Sequence, residues 1–321
     1  NLKTYPPNQM AACRGAPMSQ TQRLLLIAPS SMTRTPAFDR AAALARAMQL
    51  PLHIVAFDYL QALAIAGLFA PEQINRAREG YLDTHRHWLA EQAEVMRQRG
   101  VEVTSEVVWV HHPYEEILHF VNEMSLALII KDAEEEPALK RVFFTPLDWQ
   151  LLRDCPVPVH LVTDSRHPLP RKVLAIVDVL RSEDQDQIFN DQIVEAAVKL
   201  AAQCQAQLEL LHVYDWAAVY AKDMGFGAVP LAAGLYESLN EAQHEAFAAL
   251  AERQGIPVEH RHFIEGTPLF NICDFARDHQ IDIIVMGTVQ HWGLNKLLGT
   301  TAESLLHHAP CSMWAIKPTR S

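Results

Sequence analysis

Short apolar runs alternate with amphipathic stretches along both halves of the chain. In the first half, the runs 24–27 (LLLI) and 126–130 (LALII) are apolar throughout, whereas residues 71–98 have the composition of a long helix. Strands that are apolar on both faces are typical of a parallel sheet, because helices cover both sides of it. The alternation of such strands with helices therefore predicts βαβ units and an α/β fold.

The second half repeats the order of the first. Gly100 and Gly255, which each end a predicted helix, lie 155 positions apart, and so do Pro113 and Pro268, which each open the next predicted helix. The apolar run after that helix follows the same spacing. A spacing that persists over successive elements indicates an internal duplication. We therefore predict two tandem, doubly wound domains, each with a five-stranded parallel sheet.

We predict that domain 1 spans residues 18–164, that a linker spans 165–170 and that domain 2 spans 171–321. The linker region is polar and contains two prolines, as expected between two folded units. Residues 1–17 are rich in turn-forming residues and lack the apolar centre of a signal peptide. We therefore expect this segment to be an added or disordered leader.

Composition narrows the classes of function. The chain has a net charge of -11 and no run of Lys or Arg, which argues against a nucleic-acid-binding surface. No apolar run approaches the roughly 20 residues that cross a bilayer, so we expect no membrane partner. The 5 cysteines are widely spaced and odd in number, which favours buried free thiols, a reducing compartment and hence the cytoplasm.

The most specific pattern is at the end of each half. In the second half, Val285-Met286-Gly287-Thr288 precedes the segment 298–311 (LGTTAESLLHHAPC) and a last apolar strand. This arrangement resembles the closing segment of universal stress proteins. The first half, with FTPLDW at 144–149 and CPVPV at 155–159, resembles tandem members of that family.

The resemblance implies a fold and a role. It implies the strand order 3-2-1-4-5 in each half and two halves packed as an internal pseudo-dimer through their last strands. It also implies a stress-response role in a bacterial cytoplasm, and that some relatives bind ATP at the carboxyl ends of the first and fourth strands. In this strand order the winding reverses between those two strands, where a crevice opens. Whether two whole chains form a homodimer is left open.

The second half keeps part of the family's nucleotide-binding pattern. Relatives that bind nucleotides carry Gly, two residues, Gly, nine residues, Gly and then Ser or Thr, and this half reads Gly287, two residues, Gln290, eight residues, Gly299 and Thr300. Glycine lets backbone N–H groups approach phosphate oxygens closely. The outer glycines and the threonine are present, but Gln290 replaces the middle glycine and the loop is one residue shorter.

Two interpretations of this pattern stay open. In the first, the loop holds the phosphates of ATP with magnesium, Lys296 adds a positive charge, and Asp178 at the end of the first strand contacts the adenine or ribose. In the second, the glycines are turn and cap positions inherited from a binding ancestor, with Thr300 as a capping hydroxyl. The predicted nucleotide-binding residues are Asp178, Val213, Gly287, Lys296, Gly299 and Thr300.

The first half is expected to bind no ATP. It has no glycine between Gly100 and the end of its last strand, and the predicted loop after Lys131 reads Asp132-Ala133-Glu134-Glu135-Glu136. Carboxylates at that place would repel the phosphates of a nucleotide.

Three weaker hypotheses accompany the leading one, which is a sensor or scaffold that binds a nucleotide or another small molecule. His260 and His262 alternate along a predicted strand and are weak candidates for a metal site. The apolar loops 59–69 and 216–236 suggest a pocket for an apolar or amphipathic ligand. Slow ATP hydrolysis at the second-half site is the enzymatic alternative, since no G-x-S-x-G elbow or other dedicated catalytic motif is present.

Overall fold

Two helical layers enclose one continuous sheet in the structure, which is a computed structural model. It describes residues 22–60, 71–136, 141–143, 146–163, 166–179, 184–215, 233–288, 305 and 308–318, so the predicted leader 1–17 lies outside the described residues. The strands are β1 (Arg23–Ala28), β2 (Leu52–Asp58), β3 (Val103–Trp109), β4 (Leu126–Asp132), β5 (Glu134–Glu136), β6 (Arg141–Phe143), β7 (Val159–Val162), β8 (Lys172–Ile176), β9 (Gln207–Tyr214), β10 (Arg261–Glu265), β11 (Ile283–Gly287) and β12 (Ser312–Ile316). The helices are α1 (Pro36–Met48), α2 (Pro71–Gln98), α3 (Pro113–Met124), α4 (Pro146–Asp154), α5 (Asp184–Cys204), α6 (Ala233–Arg253) and α7 (Pro268–Asp278).

The main sheet has ten strands in the order β10-β9-β8-β11-β12-β7-β4-β1-β2-β3. Neighbouring strands are parallel within each half, whereas β7 and β12, where the halves meet, are antiparallel. When only the five main-sheet strands of either half are counted, the order from the outer edge inward is third, second, first, fourth and fifth. The fourth and fifth strands are β4 and β7 in the first half and β11 and β12 in the second. The prediction of a tandem α/β architecture is confirmed.

Each face of the sheet buries one apolar core that runs through both halves. The core on one face joins the strands to α1, α2, α5 and α6, and the core on the other face joins them to α3, α4 and α7. Leu24 and Leu25 are both fully buried, but they belong to opposite cores because successive strand residues point to opposite faces. This explains why β1 is apolar at every position. Within the described ranges, no helix has the length and apolar character needed to cross a membrane.

The two glycines that marked the repeat act in the same way. Gly100 follows α2 with φ +81°, and Gly255 follows α6 with φ +67°. Both values lie in the left-handed region, which a residue with a Cβ enters at a cost and which commonly ends a helix. The predicted helix ends at these glycines are therefore confirmed.

Two sequence-based expectations differ from the structure. Residues 132–136 were expected to form a loop, but β4 extends to Asp132, and β5 pairs with β6 as an antiparallel hairpin. Consecutive glutamates have low strand propensity, so the pattern gave no sign of this strand. The sequence pattern also predicts that the helix ended by Gly255 begins near Leu239, whereas α6 begins at Ala233.

The strand pair β7–β12 places a histidine in the interior where the halves meet. His160 lies opposite Trp314 and is fully buried. Its Nδ1–H donates a hydrogen bond of 2.9 Å to the carbonyl oxygen of Met313. Burial, assisted by the positive charge of Arg40, lowers the pKa of His160 to about 3. The imidazole is therefore neutral at physiological pH.

Further polar contacts cross from the second half to α4 of the first. The hydroxyl of Thr288, just after β11, donates to the carbonyl oxygen of Leu152 at 3.0 Å. Lys317, just after β12, donates from Nζ to the carbonyl oxygen of Leu151 at 2.7 Å and also to that of Cys155. A cation at the carboxyl end of a helix satisfies free carbonyl groups and complements the helix dipole.

The buried histidine predicts acid sensitivity of the folded chain. The pKa of His160 is lowered from 6.5 to about 3. Between these pH values the imidazole is protonated in the unfolded chain but stays neutral in the folded chain. Stability from this residue is therefore complete above pH 6.5 and is lost as the pH falls. We expect His160→Asn to flatten the decrease in unfolding free energy between pH 6.5 and 4 by up to about 1.4 kcal/mol per pH unit.

Urea unfolding at a series of pH values measures this slope. His119→Asn is the matched control, because the His119 side chain is 67% exposed on α3. Equal slopes for the wild type and His160→Asn would contradict the prediction.

Candidate functional site

The candidate site lies at the carboxyl ends of the central strands of the second half. Gly287 is the last residue of β11, and Asp178 follows the adjacent strand β8 by two residues. Val213 is near the end of β9, but its side chain is buried in the core that β9 shares with α7. Three predicted site residues, Lys296, Gly299 and Thr300, lie outside the described residues. The described part therefore brings Asp178 and Gly287 to the ends of two adjacent strands, at the point where the strand order reverses.

Asn190 on α5 fixes the chain at the end of β8. The backbone N–H of Asp178 donates to Oδ1 of Asn190 at 3.2 Å, and Nδ2 of Asn190 donates to the carbonyl oxygen of Asp178 at 2.8 Å. Asn190 is only 6% exposed, so this paired contact is shielded from water. One side chain thus satisfies both backbone groups of Asp178.

Gly287 packs directly against Phe189, which precedes Asn190 on α5. A methyl group at position 287 would lie 2.4 Å from Cε1 and 2.6 Å from Cζ of Phe189, and 3.2 Å from Cδ1 of Ile193. Carbon atoms normally keep at least about 3.5 Å between them. The packing of α5 alone therefore accounts for glycine at this position, whether or not a ligand approaches it.

The first half has a carboxylate at the corresponding place. Asp132 is the last residue of β4, and its side chain accepts a hydrogen bond from the hydroxyl of Thr35 and one of 3.2 Å from the backbone N–H of Ala37. Burial raises the pKa of Asp132, and these two hydrogen bonds oppose that rise. The carboxylate occupies the amino end of α1, where a negative charge is favourable. Asp132 is therefore a helix-capping residue rather than an exposed loop charge.

The two weak metal candidates share a buried carboxylate. His260 ends the 3-10 turn Val258–His260, one residue before the strand on which it was predicted, and His262 lies on β10. Nε2 of His262 lies 2.8 Å from Oε2 of Glu209, and Nδ1 of His260 lies 3.2 Å from Oε1. Among the described residues, no group of three or more His, Cys, Asp or Glu is arranged to hold a metal ion. The histidines instead act as hydrogen-bond partners of Glu209.

The first half carries the same pair with the residue types exchanged. Nε2 of His53 lies 2.9 Å from Oε1 of Glu106. His53 precedes Ile54 on β2 as Glu209 precedes Leu210 on β9, and strand registers relate these positions in the two halves. A contact that survives exchange of its partners indicates a structural role at both outer edges of the sheet.

Sequence reasoning missed Phe189 and Asn190. Phe189 packs on Gly287, and Asn190 bonds to the backbone of Asp178. The available signal was chain length. Between β1 and β2 the chain runs from Ala28 to Leu52, whereas between β8 and β9 it runs from Ile176 to Gln207. The longer connection in the second half indicates extra residues beside the crevice.

Comparison with known proteins defines the class. A sequence profile described as the universal stress protein family matches the chain twice, over residues 21–163 and 171–317. The chain therefore belongs to the universal stress protein family, in its tandem two-domain form.

Individual relatives show which type of universal stress protein the chain resembles. The chain is 29% identical over 306 residues to "Universal stress protein E" of Escherichia coli (strain K12), which covers 94% of this chain and 95% of that protein. It is 29% identical over 259 residues to the "Universal stress protein E homolog" of Haemophilus influenzae, which covers 80% of this chain and 83% of that one. The similarity to these E-type proteins thus extends over most of both chains.

Solved structures share the fold. A putative universal stress protein from Pseudomonas aeruginosa UCBPP-PA14 aligns with a TM-score of 0.71 at 24% identity, covering 93% of this chain and 94% of that one. A universal stress protein from Archaeoglobus fulgidus DSM 4304 aligns with a TM-score of 0.62 at 17% identity, covering 92% and 98%. These similarities establish the architecture.

The capping role of Asp132 can be tested by truncation. We expect Asp132→Ala to lower the free energy of unfolding by about 1–2 kcal/mol, because the amino end of α1 loses its acceptors. Asp83→Ala is the control, since Asp83 is exposed and forms an ion pair with Arg86 on the same helix. Urea denaturation measures both variants. A loss for Asp132→Ala no larger than that of the control would refute the capping role.

Proposed function

We propose that this chain acts in a cytoplasmic stress response by binding a ligand rather than by catalytic turnover, with at most one nucleotide-type site, in its second half. Family membership supports the general role. The location rests on one observation, which is the difference between the two halves at the end of the fourth strand. Asp132 stands there in the first half and Gly287 in the second.

The first half is a poor anion site. The carboxylate of Asp132 already holds the hydroxyl of Thr35 and the amide of Ala37 at the amino end of α1. A phosphate group there would have to displace those contacts and would meet a like charge. The second half has an uncharged glycine at the same point, so electrostatic repulsion from this position is absent.

The described residues of the second half fit a nucleotide only in part. Asp178 is held in place beside the crevice by Asn190, as a contact for adenine or ribose requires. Gly287, however, is covered by the ring of Phe189. In the proposed site, Lys296, Gly299 and Thr300 would hold the phosphates with magnesium, and Val213 would contribute through the end of β9. ATP in that position requires the Phe189 ring to move.

We also propose that the two halves serve each other as an internal pseudo-dimer. The β7–β12 pairing joins the fifth strands of both halves, and the contacts of Thr288 and Lys317 with α4 add polar links. This arrangement would satisfy within one chain the surface that a single-domain protein could use to dimerise.

Two alternatives stay as hypotheses. Slow ATP hydrolysis would use the same second-half site, and its phosphate-holding residues lie outside the described residues. The apolar-ligand hypothesis rests on loops 59–69 and 216–236, of which residues 61–69 and 216–232 lie outside the described residues.

Isothermal titration with ATP and magnesium tests the nucleotide proposal. We expect weak binding to the full chain and loss of that binding in Gly299→Asp, because a carboxylate would meet the phosphates. Asp132→Ala is the control in the first half and should leave the affinity unchanged. Absence of heat at near-millimolar ATP would remove the nucleotide site, and an affinity altered by Asp132→Ala would move it to the first half.

A further inference from the structure

The first turns of α5 form a feature that has no counterpart in the first half. Helix α5 has 21 residues and α1 has 13, so α5 is eight residues longer. Both helices end in the same way, with a left-handed glutamine, Gln49 at φ 55° and Gln205 at φ 54°. Because the carboxyl ends correspond, the additional residues are the first eight of α5, 184–191. Phe189 and Asn190 both belong to this extension.

The extension contacts both strands that flank the crevice. Asn190 holds the backbone of Asp178 at the end of β8 through hydrogen bonds of 3.2 and 2.8 Å. Phe189 lies over Gly287 at the end of β11, with ring atoms 2.4 and 2.6 Å from the place of a Cβ. Successive helical residues point about 100° apart, so neighbouring side chains can reach two adjacent strands.

We propose that Phe189 is the specificity-determining residue of the second-half crevice, because its ring occupies the approach to Gly287 that a phosphate chain would need. This inference rests on the proposed function and names what that site rejects. A ligand without phosphates can contact Asp178 while the ring stays in place. A nucleoside triphosphate can lie against Gly287 only after the first turns of α5 shift.

The two halves therefore restrict access to the carboxyl end of the fourth strand by different means. In the first half, the Asp132 carboxylate bonds to the amino end of a short helix. In the second half, an aromatic ring on an extended helix packs over glycine. A carboxylate there excludes anions by charge, whereas a ring excludes them by volume. Truncating Asp132 would leave the hydroxyl of Thr35 and the amide of Ala37 without this acceptor, whereas truncating Phe189 removes only packing.

The first test compares ligands with and without phosphates. Phe189→Ala should bind ATP with magnesium at least tenfold more tightly than the wild type in isothermal titration, while the affinity for adenosine should change less than threefold. Ile188→Ala is the matched control, because Ile188 lies on the same turn but is 54% exposed. It should bind both ligands as the wild type does. Urea unfolding of each variant confirms that it is folded before titration.

A second test examines the contact without any ligand. Gly287→Ala should lower the urea midpoint clearly in the wild-type background, because its methyl group meets the Phe189 ring. The same substitution should lower the midpoint by less than half as much in Phe189→Ala, where the methyl group has room. Equal decreases in both backgrounds would overturn the proposed packing.

The outcomes separate this inference from the proposed function. ATP binding by Phe189→Ala but not by the wild type would support the role of Phe189 and remove ATP as the native ligand. Equal ATP affinity in the wild type and Phe189→Ala would overturn the role of Phe189 and leave the nucleotide site standing. No ATP binding by either protein would overturn both.

Discussion

The pairing of β7 with β12 is the interaction on which the rest of the structure depends. It turns two five-stranded sheets into one of ten strands, and it covers an edge of each that would otherwise expose unpaired backbone groups. His160 is buried neutral at this pairing, and Arg40 on α1 is fully buried beside it, with its pKa lowered to about 10 by burial. Burying polar and charged groups costs free energy, which the surrounding packing and hydrogen bonds must offset. Among the described residues, both apolar cores continue across the pairing, so the halves share buried surface on each face of the sheet.

Within this shared frame, the two halves keep the same sheet but differ beside the proposed site. The strands keep their order and register, and even the outer His–Glu contacts persist with exchanged residue types, His53 with Glu106 and Glu209 with His262. The ends of the fourth strands differ instead. In one half the Asp132 carboxylate caps a helix, and in the other the ring of Phe189 lies over Gly287. A difference at this place alters the proposed site and leaves the order of the strands intact.

Much of the fold was predictable from the sequence because it depends on local signals. Gly100 and Gly255 end helices through their own backbone conformation, and solid apolar runs become buried parallel strands. The site was less predictable because its decisive contacts join residues far apart in the chain. Gly287 looked like a phosphate-binding glycine, yet nothing in its neighbourhood reveals that Phe189, about a hundred residues earlier, packs on it. Asp132 likewise looked like one carboxylate among several, and its capping role depends on Thr35.

Helix α5 connects the candidate site to the junction of the halves. Its first turns cover Gly287 and hold the backbone of Asp178. Its last residue, Cys204, is close enough to Arg40 on α1 to affect the pKa of that guanidinium. Helices α1 and α5 also contact each other on the same face of the sheet. A ligand that displaces the first turns of α5 must therefore either bend this helix or move it against α1. Because buried packing is dense and resists small changes in volume, the second course would carry a binding event in one half directly to the other.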